Sequence, residues 1–247
     1  MKHLIIPDTQ VRAGVSLKHI KAASNYIVSK QPEKIVIMGD WWDFPSLSSY
    51  NTPLQSEGLR LLDDIHAGNL AMDMLFKPMK DYNKGRRRKY VPEVHFIPGN
   101  HEDRLKRKIE ASPELMGILG NHLMITEKYC ERHEYLHPVN IDGFFYSHYY
   151  YGKNSGRPLG GTARNMLSKL KFSFVQGHRQ EFDYAREHLN NGKVMMGIIA
   201  GAFYMHDENY RGPQGDHWRG MVMLHDVNDG DAAICEIQLN YLLKKYL

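Results

Sequence analysis

Three short apolar runs, HLIIPD (3–8), KIVIMGD (34–40) and VHFIPGN (94–100), are spaced along the first hundred residues. Each contains β-branched residues and stops at Gly, Pro or Asp, as a buried strand ended by a turn does. Between the first two, Leu17, Ile20, Ala23, Ile27 and Val28 recur at helical spacing over 17–29. Residues 57–82 predict one long helix, with Leu59, Leu62, Ile65, Leu70, Met74 and Leu75 on or near one face. Strand, helix, strand, helix, strand at this spacing means βαβ units and a parallel sheet.

The second half changes character. FFYSHYY (144–150), FSFVQGH (172–178), KVMMGIIAG (193–201), GMVMLHDV (220–227) and AAICEIQL (232–239) all read as strands, with a helix over 160–171 as the main exception. An α/β half followed by a strand-rich half predicts two packed mixed sheets with helices outside, in one undivided domain over 1–247. A chain of 247 residues suits one such domain. At 42% hydrophobic and 24% charged residues, it has enough apolar surface to exclude a disordered chain. The net charge of +4 permits a polyanionic partner without demanding one. Cys130 and Cys235 are far apart and show no CxxC spacing, which argues against a disulfide framework or thiolate zinc site. The start lacks the apolar run of a signal peptide, and the most apolar stretch, 195–205, is shorter than the roughly 20 residues a membrane helix needs. The expectation is a cytoplasmic, soluble protein with no membrane partner.

Polar residues cluster where these strands end. Asp8 and Gln10 follow the first, Asp40 and Asp43 the second, and Asn100, His101 and Glu102 the third. His148 and the segment Gly177-His178-Arg179-Gln180 end two strands of the second half. In open α/β sheets ligands bind beyond the carboxyl ends of the strands. Carboxylates and amide oxygens suit hard cations, and imidazole suits Mn, Fe, Zn, Co and Ni. A shared Asp can bridge two ions roughly 3.5–4 Å apart, and the pair can orient and ionise a water.

The blocks Asp8-Thr9-Gln10, Gly39-Asp40-Trp41-Trp42-Asp43, Gly99-Asn100-His101-Glu102, Ser147-His148 and Gly177-His178-Arg179-Gln180 together resemble the signature of the calcineurin-like metallophosphoesterases. That signature is D-x-H, G-D-x-x-D, G-N-H-E/D, a lone His and G-H-x-H, in this order. Any single block is weak; five in order at strand ends are specific. The resemblance implies a four-layer α/β/β/α sandwich and a two-metal phosphoester hydrolase. Carried over by position, Asp40 bridges two divalent ions, Asn100, His148 and His178 complete one site, and Asp8, Gln10 and Gln180 form the other. His101 sits beside the metals and protonates the leaving oxygen or stabilises phosphoryl charge, with Asp43 orienting it. Compact members of this family also occur in bacteriophage genomes, where the glutamine variant of the first motif is not out of place.

The departure from the pattern is that Gln10 and Gln180 stand where the family has His. Both fall on the same implied site, which then offers only oxygen ligands. Three readings are open: a site retuned for a hard ion such as Mn²⁺ or Mg²⁺, a weak site filled with substrate, or an empty one. Two losses to the same amide favour retuning, so Mn²⁺ is the preferred ion, with Ni, Mg, Fe or Zn as alternatives. Each residue also has a plain reading. Asp8 alone is a turn former, Gln10 and Gln180 are hydrogen-bonding amides, and His148 is a core histidine. The basic run 84–89 is a solvated loop more readily than a phosphate-contacting patch. Trp41, Trp42, Phe44, Tyr50 and Tyr149 to Tyr151 either stack on a base or pack their loops. Among Arg104, Arg157 and Arg179, only Arg179 is tied by a motif to the site as a substrate contact. His206 and His217, in the polar loop 206–219, receive no role. The apolar tail 240–247 packs either on the core or on a second subunit.

The expected activity is in-line hydrolysis of a phosphoester by metal-held water, with diesters, nucleotides or nucleic acid as favoured substrates. Alternatives are a phosphomonoesterase or protein phosphatase, or a binding module with weakened catalysis.

Overall fold

The computed structural model describes residues 1–153, 155–207 and 217–247. Residues 208–216 of the polar loop noted above lie outside the described residues.

Four parallel strands, β1 (His3–Ile6), β2 (Lys34–Ile37), β3 (Glu93–Phe96) and β4 (Glu131–Arg132), form one half of a six-stranded sheet. The antiparallel pair β10 (Gly220–Asn228) and β11 (Asp231–Gln238) joins it along β1, in the order β11-β10-β1-β2-β3-β4. A second sheet contains β5 (Val139–Ile141), β6 (Phe144–Tyr146), β7 (Phe174–Gln176), β8 (Phe182–His188) and β9 (Val194–Ala200) in the order β5-β6-β7-β9-β8. In it β6, β7 and β9 are parallel, and both edge strands are antiparallel.

The strand period of two sends alternate side chains to opposite faces, and the buried residues follow it. Ile5, Val36, Ile198, Val175 and Val222 meet between the sheets. Leu4, Ile6, Ile35, Ile37 and Phe96 face outward onto the helices α1 (Lys18–Lys30), α3 (Leu61–Asn83) and α6 (Leu239–Tyr246). On the far side, Phe174 and Ile199 pack against Ala163, Met166 and Leu167 of α5 (Ala163–Leu170). Helix, sheet, sheet, helix is the expected layering.

The helix expected over 57–82 is α3, which starts at Leu61 and is preceded by a separate short helix. This short helix, α2 (Pro53–Ser56), carries a Thr52–Gln55 capping box, and the chain then turns at Gly58, whose φ of +77° breaks the helical path. Leu62 and Leu70, expected on the core face of α3, are exposed; the buried face runs through Ile65, Gly68, Met72, Leu75 and Phe76. A further helix, α4 (Asp103–Ala111), starts directly after Glu102. The tail forms α6 and packs on α1: Leu242 is fully buried, and Asn25 Nδ2 donates to the Tyr246 carbonyl at 2.7 Å. Of the two destinations open to that tail, it takes the core.

Candidate active site

The parallel strands β1, β2, β3, β6 and β7 all deliver a polar residue at their carboxyl ends, and the loops that follow converge. Beyond β1 and β2 the chains run side by side: Gln10 N donates to Asp40 O, Val11 N to Trp41 O, and Asp43 N to Val11 O. This ladder brings the first two blocks together. Trp41, Trp42 and Phe44 are fully buried, so they pack the loop and present no stacking surface. The indoles of Trp41 and Trp42 donate to Gly68 O and Ile65 O of α3 at 3.0 and 3.3 Å. A Cβ on Gly68 would lie 2.0 Å from the Trp42 ring, so this glycine is what allows the helix to approach.

Glu102 ties the second block to the third. Its Oε2 accepts from Gly99 N at 2.7 Å and Asp40 N at 2.9 Å; its Oε1 accepts from Trp41 N at 2.8 Å and Trp42 N at 3.1 Å. Four backbone donors on one buried carboxylate hold both loops in register. The glycines are fitted just as closely: a Cβ on Gly99 would sit 2.2 Å from Asp40 Oδ1, and one on Gly177 2.4 Å from Asp8 Oδ1.

Around Asp40 the donor atoms are compact. Its Oδ1 accepts from His101 N at 2.9 Å, and its Oδ2 lies 3.3 Å from His148 Nε2. Asn100 Oδ1 is 3.0 Å from His148 Nε2 and 2.8 Å from His178 Nδ1. Asp40, His148 and His178 present ligand atoms within 4.8 Å of one another. His148 Nδ1 donates to Met38 O at 2.6 Å, so in the neutral ring Nε2 carries the lone pair. That lone pair faces two oxygens, one of them ionised. A proton or a metal cation must sit among them, and this chemistry fits a divalent ion held by Asp40, Asn100, His148 and His178.

The other half is looser. Asp8 is fully buried; its Oδ1 accepts from His178 N at 3.0 Å, while its Oδ2 has no hydrogen-bond partner among the described residues. Gln10 is buried beside Asp40 through its backbone. Gln180 lines the cleft, and its Oε1 accepts from Tyr204 Oη at 3.0 Å. Tyr204 in turn bonds His217 Nδ1. An orphan carboxylate oxygen with two carboxamides fits a hard cation, with Gln180 already engaged by Tyr204. Backbone geometry is shared by both halves: Gln10, Asp40, His178 and Gln180 have φ of 43°, 45°, 68° and 58°, the left-handed region that side chains other than glycine rarely adopt.

The charges conflict as the geometry implies. Burial pushes Asp8 up to about 7, the His148 charge opposing and the Asp40 charge adding to it. Burial also works against an ionised Asp40, but the charges and hydrogen bonds of His101 and His148 outweigh it and hold the group well below the usual carboxylate range. His148 is driven up to about 10, because Asp40 and Asp8 overcome its burial, and His178 is pushed down to about 4 by burial and the His148 charge. Two carboxylates and two imidazoles in one dry site are pulled apart in this way when no metal charge is present.

His101 stands next to this cluster. Its Nδ1 donates to Asp43 O at 2.8 Å and lies 3.1 Å from Asp43 Oδ1; its Nε2 accepts from Arg104 at 3.0 Å and is 3.7 Å from Asp40 Oδ2. Burial disfavours the imidazolium, yet Asp40 and Asp43 prevail and raise the pKa. Asp40, Asn100, His101, His178 and Gln180 line a cleft of about 840 Å³, with the 90% exposed Tyr50 on its rim and Asp8 and His148 buried.

Arg179 lines the same cleft, but its guanidinium is engaged by Gly161 O and Glu181. Among the described residues, Arg104 and Arg12 are cations beside His101 and Asp43. Arg104 also donates to Asp43 O at 2.7 Å, and Arg12 pairs with Asp43 Oδ2 at 3.2 Å. Sequence reasoning left Arg104 without a place and overlooked Arg12, although both lie one helical turn or less past a motif residue. The organising role of Glu102 and the Tyr204–Gln180 contact were also missed. The basic run 84–89 precedes β3, at the opposite end of the sheet from the cleft. No described helix is long and apolar enough to cross a membrane.

No protein-family model and no curated protein matches the chain. Among solved structures it is similar to Yfce, a phosphoesterase from E. coli, at 14% identity and a TM-score of 0.45, covering 96% of this chain and 100% of that one. A likeness at that level carries no argument about activity.

Proposed function

We propose that this protein is a calcineurin-like metallophosphoesterase that hydrolyses phosphoesters, with diesters favoured over monoesters. The observation that carries the proposal is the meeting of Asp40 Oδ2, Asn100 Oδ1 and His148 Nε2 within 3.3 Å contacts at the carboxyl ends of parallel strands, with His101 alongside. Asp40, Asn100, His148 and His178 would hold one divalent ion; Asp8, Gln10 and Gln180, with Asp40 shared, would hold a second, for which Mn²⁺ is the preferred occupant. When bound, such ions polarise the phosphoryl oxygens and lower the pKa of water.

The chain's own residues do the rest. Asp43 holds the Nδ1 proton of His101 and so turns Nε2 toward the cleft. Once Arg104 turns from Nε2 to the phosphoryl group, Nε2 can carry a proton, with Asp40 and Asp43 supporting the imidazolium, and His101 gives that proton to the leaving oxygen. Arg104, already within reach of Nε2, offers a second donor to the phosphoryl group. Diesters are favoured because the cleft is open on the Tyr50 side and carries arginines around it. Nucleotides and nucleic acid are the natural candidates.

The test is hydrolysis of bis-p-nitrophenyl phosphate by metal-stripped protein titrated with Mn²⁺, Ni²⁺, Mg²⁺ and Zn²⁺, with bound metal counted in parallel. Mn²⁺-driven turnover with two ions per chain is the expected result. Absence of turnover with every ion would sink the enzyme and leave a binding module. Turnover with one ion would restrict the centre to its imidazole half.

A further inference from the structure

At the edge of the six-stranded sheet a second group of ligands has formed away from the cleft. His95 on β3 is in register with Glu131 on β4, and His133 follows β4 with its N–H on Phe96 O. His95 Nδ1 lies 3.1 Å from His133 Nε2 and 3.5 Å from Glu131 Oε2. All three residues offer ligand atoms within 4.8 Å of one another. The site stands at mid-strand, upstream of Asn100 on the same chain segment.

We propose that His95 Nδ1, His133 Nε2 and Glu131 Oε2 form a structural site for a first-row divalent ion of the zinc class, which clamps the edge strand β4 to β3.

The ring nitrogens that would not bind the ion support this. A ligating imidazole needs a proton on its other nitrogen and an acceptor for it, most often a carboxylate. His95 Nε2 lies 3.8 Å from Glu93 Oε2, and His133 Nδ1 lies 3.9 Å from Glu131 Oε1. Both outer nitrogens therefore face carboxylate oxygens, each slightly beyond hydrogen-bond range. His95 is 92% buried, being 8% exposed, and its Nε2 has no hydrogen-bond partner among the described residues. Without a metal, only one of the two rings can donate in the His95–His133 contact. If His95 donates from Nδ1, its buried Nε2 is left as a lone pair facing Glu93. A cation between the rings removes this conflict, since both facing nitrogens then act as lone-pair donors and both outer ones carry protons.

The fold has a use for the clamp. The strand β4 is two residues long and pairs with β3 alone, through His95–Glu131 and Phe96–Arg132. Short edge pairing of this kind is weak without further contacts. Lys34 Nζ, 3.0 Å from Glu93 Oε2, fixes the carboxylate that would receive the His95 proton. Glu131 is 68% exposed on its side chain, which leaves an entry path and a coordination position for water.

The test uses the full chain, with Zn²⁺ as the probe. Crystals soaked in Zn²⁺ are expected to give an anomalous peak between His95 Nδ1 and His133 Nε2 in addition to any at Asp40. In solution, His133→Ala should bind one Zn²⁺ fewer per chain and show a smaller rise in Tm with Zn²⁺ than the parent protein. Its Mn²⁺-driven phosphodiesterase rate should stay within about twofold, because His133 lies outside the catalytic cleft. Should that variant fold poorly, the exposed substitution Glu131→Gln is expected to weaken the site roughly tenfold or more. Equal Zn²⁺ content and equal Tm shifts in parent and variants, or an edge site with no anomalous peak, would overturn the proposal. These readouts do not depend on turnover, so failure of the enzymatic reading leaves them intact.

Discussion

The two halves of the cleft are built on the same kind of backbone and carry different chemistry. In the half around His148 and His178, His148 Nε2 lies 3.3 Å from Asp40 Oδ2 and the Asn100 amide oxygen lies 2.8 Å from His178 Nδ1. In the half around Asp8, the ligand candidates are a carboxylate and two carboxamides, and one carboxamide oxygen is taken by Tyr204. Yet Gln10 and Gln180 keep left-handed backbones, as Asp40 and His178 do. Such conformations cost roughly 1–3 kcal/mol each and persist where the surroundings over-determine them. Loop geometry is thus common to both halves, while the donor set differs. The difference teaches that ligand identity can change without rebuilding the loops that present it.

The comparison can be broken most severely at the residue the halves share. Asp40→Asn should reduce diester turnover roughly 10³-fold, the upper end of the scale on which single electrostatic stabilisers act, and should lower metal content in both halves; normal metal loading would contradict the bridging role. Next comes the group that belongs to neither half. His101→Gln is expected to lower kcat roughly 10²–10³-fold, as loss of a general acid does, with bound metal unchanged; a parallel loss of metal would make it a ligand. Glu102→Gln attacks the frame common to both. Weakening four charge-assisted bonds should destabilise the fold by about 1–3 kcal/mol and loosen metal binding roughly 10–100-fold, readable by urea denaturation and metal titration.

A smaller effect would sharpen the contrast. Gln180→His should shift the activating ion from Mn²⁺ toward Zn²⁺ or Ni²⁺, roughly tenfold in relative affinity, because imidazole suits those ions better. An unchanged metal preference would leave Gln180 as a hydrogen-bond partner of Tyr204 only. The smallest effect lies under the Asp8 half, where the His19 ring packs edge-on to Phe203 at 5.3 Å, and Phe203 N donates to Asp8 O. Burial, with the His206 charge, pushes His19 from 6.5 down to about 3. The folded state thus resists a proton that the unfolded chain accepts. Its stability contribution is full above pH 6.5 and is lost as pH falls toward about 3. His19→Leu should flatten the acid limb of a Tm-versus-pH curve; an unaltered limb would show that other groups set it.

The parallel strands were legible because their runs are short, apolar and β-branched, and the convergence of the candidate residues because each sits directly after such a run. The short helix α2 and the exact start of α3 were not, since Leu59 fits the helical rhythm although the chain is still turning after Gly58. Glu102 was visible only as the last letter of a motif; its four bonds go to backbone groups up to 62 residues away, which no local pattern records. Arg104 and Arg12 were equally opaque, because an arginine's reach depends on which loop lies opposite.

Residue order along the chain was enough to establish the layered fold and to bring Asp8, Asp40, Asn100, His148 and His178 to one sheet edge. Periodicity decides which side chains are buried, and strand direction decides which end they leave by. The contacts made across that edge were a matter of folded geometry: Tyr204 on Gln180, Arg104 on His101, and Arg179 held by Gly161 and Glu181. The same holds for His95 and His133, which are 38 residues apart and meet at 3.1 Å through the β3–β4 register. Hydrogen bonds and ligand shells are fixed to tenths of an ångström by loops that pack from several directions at once, and only the assembled chain brings those directions together.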